Sequence, residues 1–421
     1  MKTTATVSTT FAATHDRHRV GLLVSLTGDQ PVNRPPVNVA LVLDRSGSMG
    51  GEPMVEARKA ALRFASFLGA NDQLTVVAFS HEVQLLYGPG PGNSPEAAAA
   101  INRISEGGNT NLSGGWLEGH RHLSRALLQG VNRILLLTDG QANAGVTDIP
   151  ALRLLSAGAV EGKVSTTCIG FGPHFNEDLL TAMAEGGGGH FWYVEHADQM
   201  TGSFEGEIEG LVSLAAQNVS VEVTLTHPGV AGVSLAPELP CERTAEGVWR
   251  IRLGDLYAVQ PRSVGLIFHV ENAGDLGEVE LGRLVVHADI LGSAGVEHRT
   301  ITLPVMASLD SQDHVVPEVE TAFLRFAVAK ARDEAIRHAD DGDLQRAGQV
   351  LEEAACHIPA DVVDPGLRDA RQDLLAESAR LKENYYFAAD RKYHMARSAY
   401  SKEGRQLDEA KLSRRKRQPK D

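Results

Sequence analysis

The amino-acid sequence predicts an α/β unit with a doubly wound, mostly parallel sheet, inserted in an all-β sandwich and followed by a C-terminal helical region. Three observations predict it. Short runs rich in Val, Ile and Leu alternate with helical patterns from about residue 37 to 214, alternating strands separated by turn residues fill 219–306, and apolar stripes at helical spacing continue beyond about 317. With 421 residues, two or three domains are expected rather than one core. The expected organisation is N-terminal sandwich strands over 1–36, the α/β unit over 37–214, the sandwich over 215–310, a helical region over 311–412 and a basic tail over 413–421.

In the α/β unit, the apolar runs at 37–43, 74–79, 134–137, 164–169 and 191–194 read as buried strands. Between the first two, Met54, Ala57, Ala61, Phe64 and Leu68 recur at helical spacing, and Pro53 sits early, where a missing N–H is tolerated. Val83, Leu85 and Tyr87 alternate just after a tight break, as an antiparallel edge strand does. In the sandwich, the alternating runs are 219–225, 249–253, 264–270, 284–287 and 301–305, with Gly, Pro, Asn and Asp between them. Residues 3–12 and 19–26 have the same character, so they are expected to complete the sandwich across the insertion. The helical region shows stripes at Val319, Ala322, Phe326 and Ala329, at Leu344, Ala347, Leu351 and Ala354, and at Leu367, Ala370, Leu374 and Leu381. Asp340, Asp341, Gly342 and Asp343 break the first of these helices and cap the second.

The balance of 40 Lys and Arg against 54 Asp and Glu gives a net charge of −14, which argues against a generic nucleic-acid binder and for a protein that attracts cations. The charge is uneven: residues 385–421 hold 11 Lys and Arg against five Asp and Glu, a net of +6, so the rest of the chain carries −20. Interleaved base-stacking aromatics are missing from the last 20 residues, so the basic end reads as a solvated tail, and Tyr385, Tyr386, Tyr393 and Tyr400 as packing along the last helix. Cys168, Cys241 and Cys356 have no disulfide or zinc spacing. No secretory h-region opens the chain, and no apolar run approaches the roughly 18 residues of a membrane span, so a cytoplasmic location without membrane contact is expected.

Three polar elements carry the chemistry. Asp44, Ser46 and Ser48 follow the first buried strand, Thr110 lies in the polar segment 107–113 before a helix, and Asp139 lies in Thr138-Asp139-Gly140 directly after another buried strand. A hard divalent cation takes oxygen donors, and Mg²⁺ takes six in near-octahedral array with few carboxylates. In a doubly wound sheet those two strands are neighbours where the strand order reverses, which is where such folds hold ligands. Taken singly, each element is an ordinary helix cap or turn. Their joint occurrence is what singles them out.

In that order and spacing, these elements resemble the von Willebrand factor type A domain and its metal-ion-dependent adhesion site, over about residues 37–214. The resemblance implies that Ser46, Ser48 and Thr110 contact a metal through their hydroxyls while Asp44 and Asp139 hold it largely through bound waters. It implies Mg²⁺, with Mn²⁺ or Ca²⁺ as substitutes, and a sixth position open to an Asp or Glu carboxylate of a partner protein. The segments 141–148, 169–172 and 175–180 look like the subgroup of bacterial proteins that join this domain to an inter-alpha-trypsin-inhibitor-like arrangement.

The expectation is therefore a non-enzymatic scaffold that binds a partner through a bridging cation. A second reading is a regulatory or adaptor subunit beside an ATPase or a kinase and phosphatase system, as similar domains are. A third, a metal-dependent hydrolase, needs a general base that the sequence does not offer. Other features have plain readings. Residues 158–163 lack the spacing and the following helix of a phosphate loop, Gly186 to Gly189 and His190 form a turn before a strand, and His120 and His122 sit two apart on a helix. The sequence sets no oligomeric state.

Overall fold

The protein is described by a computed structural model covering residues 1–12, 17–29, 35–236, 239, 241–244, 247–258, 261–271, 277–292, 295–309, 314–386 and 388–402. Two strands open the chain, β1 (Lys2–Ala12) and β2 (Arg17–Thr27). The α/β unit follows as β3 (Val37–Asp44), α1 (Glu52–Phe67), β4 (Gln73–Phe79), β5 (Val83–Pro91), α2 (Pro95–Asn102), α3 (Leu112–Ser124) and β6 (Val131–Thr138). It ends with α4 (Ile149–Glu161), β7 (Ser165–Phe171), α5 (Glu177–Gly186), β8 (Gly188–Val194) and α6 (Met200–Ser213).

The six strands lie in the order β5-β4-β3-β6-β7-β8, parallel except for the edge strand β5. Every residue of β3 and of β6 is buried, as expected for parallel strands covered on both faces. The strand period of two sorts their side chains. Val37, Val39, Leu41 and Leu43 pack with α1, α2 and α6, and Ala40 and Val42 pack with α3, α4 and α5. The chain leaves β3 toward β4 on one side and later returns to place β6 on the other, so the ends of β3 and β6 adjoin where the winding reverses.

Seven further strands follow: β9 (Leu214–Leu225), β10 (Val230–Ala236), β11 (Cys241–Arg243), β12 (Trp249–Tyr257), β13 (Arg262–Glu271), β14 (Gly277–Gly292) and β15 (Gly295–Leu309). They form, with the first two, an antiparallel sheet β1-β2-β13-β10 and a second sheet β11-β12-β9-β14-β15. Val20, Leu22, Val24 and Leu26 of β2 share one apolar cluster with Val219, Val221 and Val223 of β9, so the N-terminal strands pair and pack with elements beyond the α/β unit.

The C-terminal helices are α7 (Pro317–Asp340), α8 (Leu344–His357), α9 (Pro365–Lys382) and α10 (Ala388–Lys402). Phe323 of α7 lies over Gly21 and Gly265, where a Cβ would stand 3.4 and 2.9 Å from its ring, so this helix covers the outer face of β2 and β13. Asp343 caps α8 and Asp364 caps α9, each accepting from a backbone N–H at 2.9 Å.

Some sequence expectations change. β8 begins at Gly188, inside the expected glycine turn, because β7 pairs Thr166 with that residue. Tyr385 is 55% exposed rather than packed, since Asn384 takes a left-handed φ of 62° and turns the chain before α10. The side chain of Tyr400 and the basic tail 413–421 lie outside the described residues. Arg391, Lys392 and Arg397, counted with the tail by charge alone, are packed into the fold.

Candidate metal centre

Asp44 ends β3 with its carboxylate fully buried. One oxygen accepts the Ser46 backbone N–H at 2.7 Å, and the other accepts the Thr138 hydroxyl from the end of the neighbouring strand β6. The chain then turns sharply. The Ser46 and Ser48 hydroxyl oxygens stand 3.1 Å apart, and the Ser48 hydroxyl donates to Asp139 Oδ1 at 2.7 Å. A Cβ placed on Gly140 would lie 3.1 Å from Thr110 Oγ1 and 3.8 Å from Asp44 Oδ2. Asp44, Ser46, Ser48, Thr110 and Asp139 are thereby brought together at the C-terminal end of the central strands β3 and β6.

Main-chain bonds lace the three loops. Gly47 N–H donates to the Gly108 carbonyl at 3.1 Å, Gly107 N–H to the Arg45 carbonyl at 2.7 Å, and Asn111 N–H to the Ser80 carbonyl at 2.9 Å. Thr110 and Asn143 hold each other: Thr110 N–H donates to the Asn143 side chain at 2.9 Å, and Asn143 N–H donates to the Thr110 carbonyl at 3.2 Å. Thr138 and Asn143 are therefore positioning residues that motif reading passed over. Thr138 is the first residue of the Thr-Asp-Gly element, whereas no spacing rule ties Asn143 to Thr110.

The electrostatics are unbalanced. Burial pushes the Asp44 carboxyl up, against the hydrogen bonds from Thr138 and Ser46. Burial and the Asp44 charge together push Asp139 up to about 6, against the Ser48 bond and His174. Among the described residues, no Lys or Arg forms an ion pair with either carboxylate, whose hydrogen bonds come from Ser46, Thr138 and Ser48. Two buried acids without a cationic side chain leave a charge deficit that a bound cation would remove. The donor set of two carboxylates and three hydroxyls suits a hard divalent ion. Among the described residues, no group of three or more His, Cys, Asp or Glu side chains offers another metal site.

Residues 38–206 match the family model of the von Willebrand factor type A domain. The chain contains a von Willebrand factor type A domain. Its similarity to sll0103, an uncharacterized protein of Synechocystis sp., is 27% identity over 351 residues, covering 80% of this chain and 82% of that one. Inter-alpha-trypsin inhibitor heavy chain H3 of Mesocricetus auratus is 32% identical over 174 residues, or 39% of this chain and 20% of that protein. The matched stretch is thus about a fifth of the heavy chain's length. Among solved structures, the von Willebrand factor type A protein from Catenulispora acidiphila aligns with a TM-score of 0.65 at 17% identity, covering 89% of this chain and 96% of that chain. The ArnB paralog VWA2 from Sulfolobus acidocaldarius aligns with a TM-score of 0.59 at 16% identity, covering 95% and 97%. At those identities the likeness speaks to the fold, and it extends past the α/β unit to the added strands and helices. Domains of this family mediate protein–protein interactions and typically bind a divalent metal.

Proposed function

We propose that this protein is a non-enzymatic interaction scaffold in which Asp44, Ser46, Ser48, Thr110 and Asp139 hold Mg²⁺, with Mn²⁺ or Ca²⁺ as substitutes, for recognition of an Asp or Glu carboxylate on a partner protein. The observation that carries this reading is the meeting of five oxygen-bearing side chains from three loops, two of them buried carboxylates that pair with no Lys or Arg among the described residues. A bound divalent ion would supply the positive charge that draws an anionic side chain to this end of the strands. The protein's own part is to hold Asp44 through Thr138, to aim Ser48 at Asp139, and to fix Thr110 through Asn143.

We read the two antiparallel sheets as a sandwich carrying the α/β unit as an insertion, a reading supported by the shared apolar cluster of β2 and β9. Similarity along most of both chains to the Synechocystis protein supports a bacterial arrangement of this kind. Three cysteines without a disulfide support a reducing, cytoplasmic setting. No helix of the described residues is long and apolar enough to cross a membrane.

Calorimetric titration of the full chain with Mg²⁺ and Mn²⁺ tests the metal step. Binding at or below about 1 mM, weakened at least about tenfold in Asp139→Ala and in Ser46→Ala, is expected. Capture of a lysate protein that is abolished by chelator and by Asp44→Ala, and that requires an acidic residue of that protein, completes the test. Silent titrations at millimolar metal, or undiminished capture by Asp44→Ala, would overturn the proposal.

A further inference from the structure

A cavity lies at the opposite end of the parallel strands from the metal centre, where the α/β unit meets the antiparallel sheets. Its volume is about 330 Å³. At roughly 30 Å³ for each water displaced, that is room for about ten non-hydrogen atoms. The α/β wall is formed where α4 and α5 both end, so two helix C-termini and their negative dipole ends meet there. Exposed Glu161 and Glu185 stand on those last turns, with Lys163 as the cation on that wall.

The facing wall has the opposite character. It presents Arg250 and Arg252 of β12 and Arg262 at the start of β13. Arg250 pairs with Glu222 at 2.7 Å and Arg252 with Glu242 at 2.8 Å, single carboxylates that leave further donors of each five-donor guanidinium to a ligand. Apolar surface predominates in the lining, which includes Val219, Leu239 and Leu253 beside the polar Asn218, Ser220 and His190. The close approach beside the cavity depends on glycine: Gly254, in a bulge of β12 at a φ of 76°, lies where a Cβ would stand 3.1 Å from the Gly188 carbonyl oxygen.

We propose that this interdomain cavity binds a small zwitterion whose cationic and carboxylate ends are separated by an apolar chain, the cation lying against the ends of α4 and α5 and the carboxylate against the arginines of β12 and β13. The division of charge between the walls favours a zwitterion over a polyanion: Glu161 and Glu185 stand on one wall and the three arginines on the other, while the lining acids Asp255 and Asp289 are engaged by Arg133 and Asn218. This site is independent of the metal centre. β7 runs its seven residues between the two ends of the sheet, about 20 Å at 3.3 Å per residue.

The probe is 6-aminohexanoate, titrated into the full chain by calorimetry and followed by amide chemical shifts, with hexanoate and hexylamine as single-ended controls. Binding of 6-aminohexanoate at least about tenfold tighter than either control is expected. Arg252→Gln should weaken it about tenfold, and so should the paired Glu161→Gln and Glu185→Gln exchange, which touches only exposed helix ends and so keeps the fold. Asp139→Ala should leave it unchanged. Equal binding of all three probes, no saturable signal with 6-aminohexanoate, or full affinity in both charge variants would overturn the assignment.

Discussion

Burying the charged forms of Asp44 and Asp139 costs the fold stability that a bound cation would return. Removing them from water disfavours their charged forms, and hydrogen bonds from Thr138, Ser46 and Ser48 offset only part of that, since both carboxyls remain shifted upward. Metal bound to the folded state alone adds stability by mass action, about 2.7 kcal/mol at a hundredfold excess over the dissociation constant. The melting temperature of the wild type should therefore rise with added Mg²⁺ and fall with chelator, while Asp139→Ala should melt at one temperature in both; differential scanning calorimetry reads the difference. Gly108 is a second sensitive residue. It adopts a φ of 89°, and a Cβ there would meet His81 Nδ1 at 2.2 Å. Because its carbonyl also accepts the Gly47 N–H of the serine loop, Gly108→Ala should cost about 1–2 kcal/mol and loosen Mg²⁺ binding together, measured by denaturant titration and calorimetry.

At the scale of elements, α10 is held to the α/β unit by charge. Lys392, 2% exposed, donates to the Phe175 carbonyl at 2.6 Å and to Glu177, and its ammonium lies 4.0 Å from the centroid of the Phe175 ring. Arg391 reaches Glu177, Asp178 and Asp340, tying α5, α7 and α10 at one point. Burial works against the Glu177 charge, but the bonds from Lys392 and Arg391 outweigh it and hold its carboxyl below the ordinary 4.5. A group lowered on folding adds stability that is full above its unfolded value and is lost as pH falls through the folded one. Hydrogen exchange over 388–402 should consequently quicken as pH drops below about 4.5, after correction for the intrinsic rate. Glu177→Ala should release α10 already at neutral pH, costing about 3 kcal/mol by leaving a buried lysine unpaired. This clasp adjoins the metal loops: Gln141, two residues beyond Asp139, donates to the His174 carbonyl at 2.8 Å, next to Phe175.

Across the whole molecule, one buried ion network joins the α/β unit to the antiparallel sheets. Arg133 of β6 bonds Glu207 of α6 at 2.5 Å and Asp255 of β12, and all three side chains are at most 3% exposed. Despite full burial, Arg133 holds the Glu207 carboxyl down to about 2. Arg133→Met should cost about 3–5 kcal/mol by stranding two buried acids, whereas replacing all three residues by apolar ones should return most of it, in equilibrium unfolding of each variant. The network, the clasp and the cavity share a property: each joins residues more than 100 positions apart, and no local period records such a meeting. Periodicity, by contrast, is a local property, which is why the apolar runs of β3 and β6, the antiparallel edge strand β5 and the helix break at Asp340 to Asp343 were legible from the chain alone, although a register shift in β5 leaves Leu85 39% exposed. Motif order placed Asp44, Ser46, Ser48, Thr110 and Asp139 as candidates because short loops after buried strands carry their own signature. What the sequence by itself determined was the α/β winding and a set of oxygen donors. The tertiary structure alone decided that Asn143 would hold Thr110, that Lys392 would leave a basic segment for a buried seat, and that two helix ends would face three arginines, because these depend on which elements the apolar faces bring together in space.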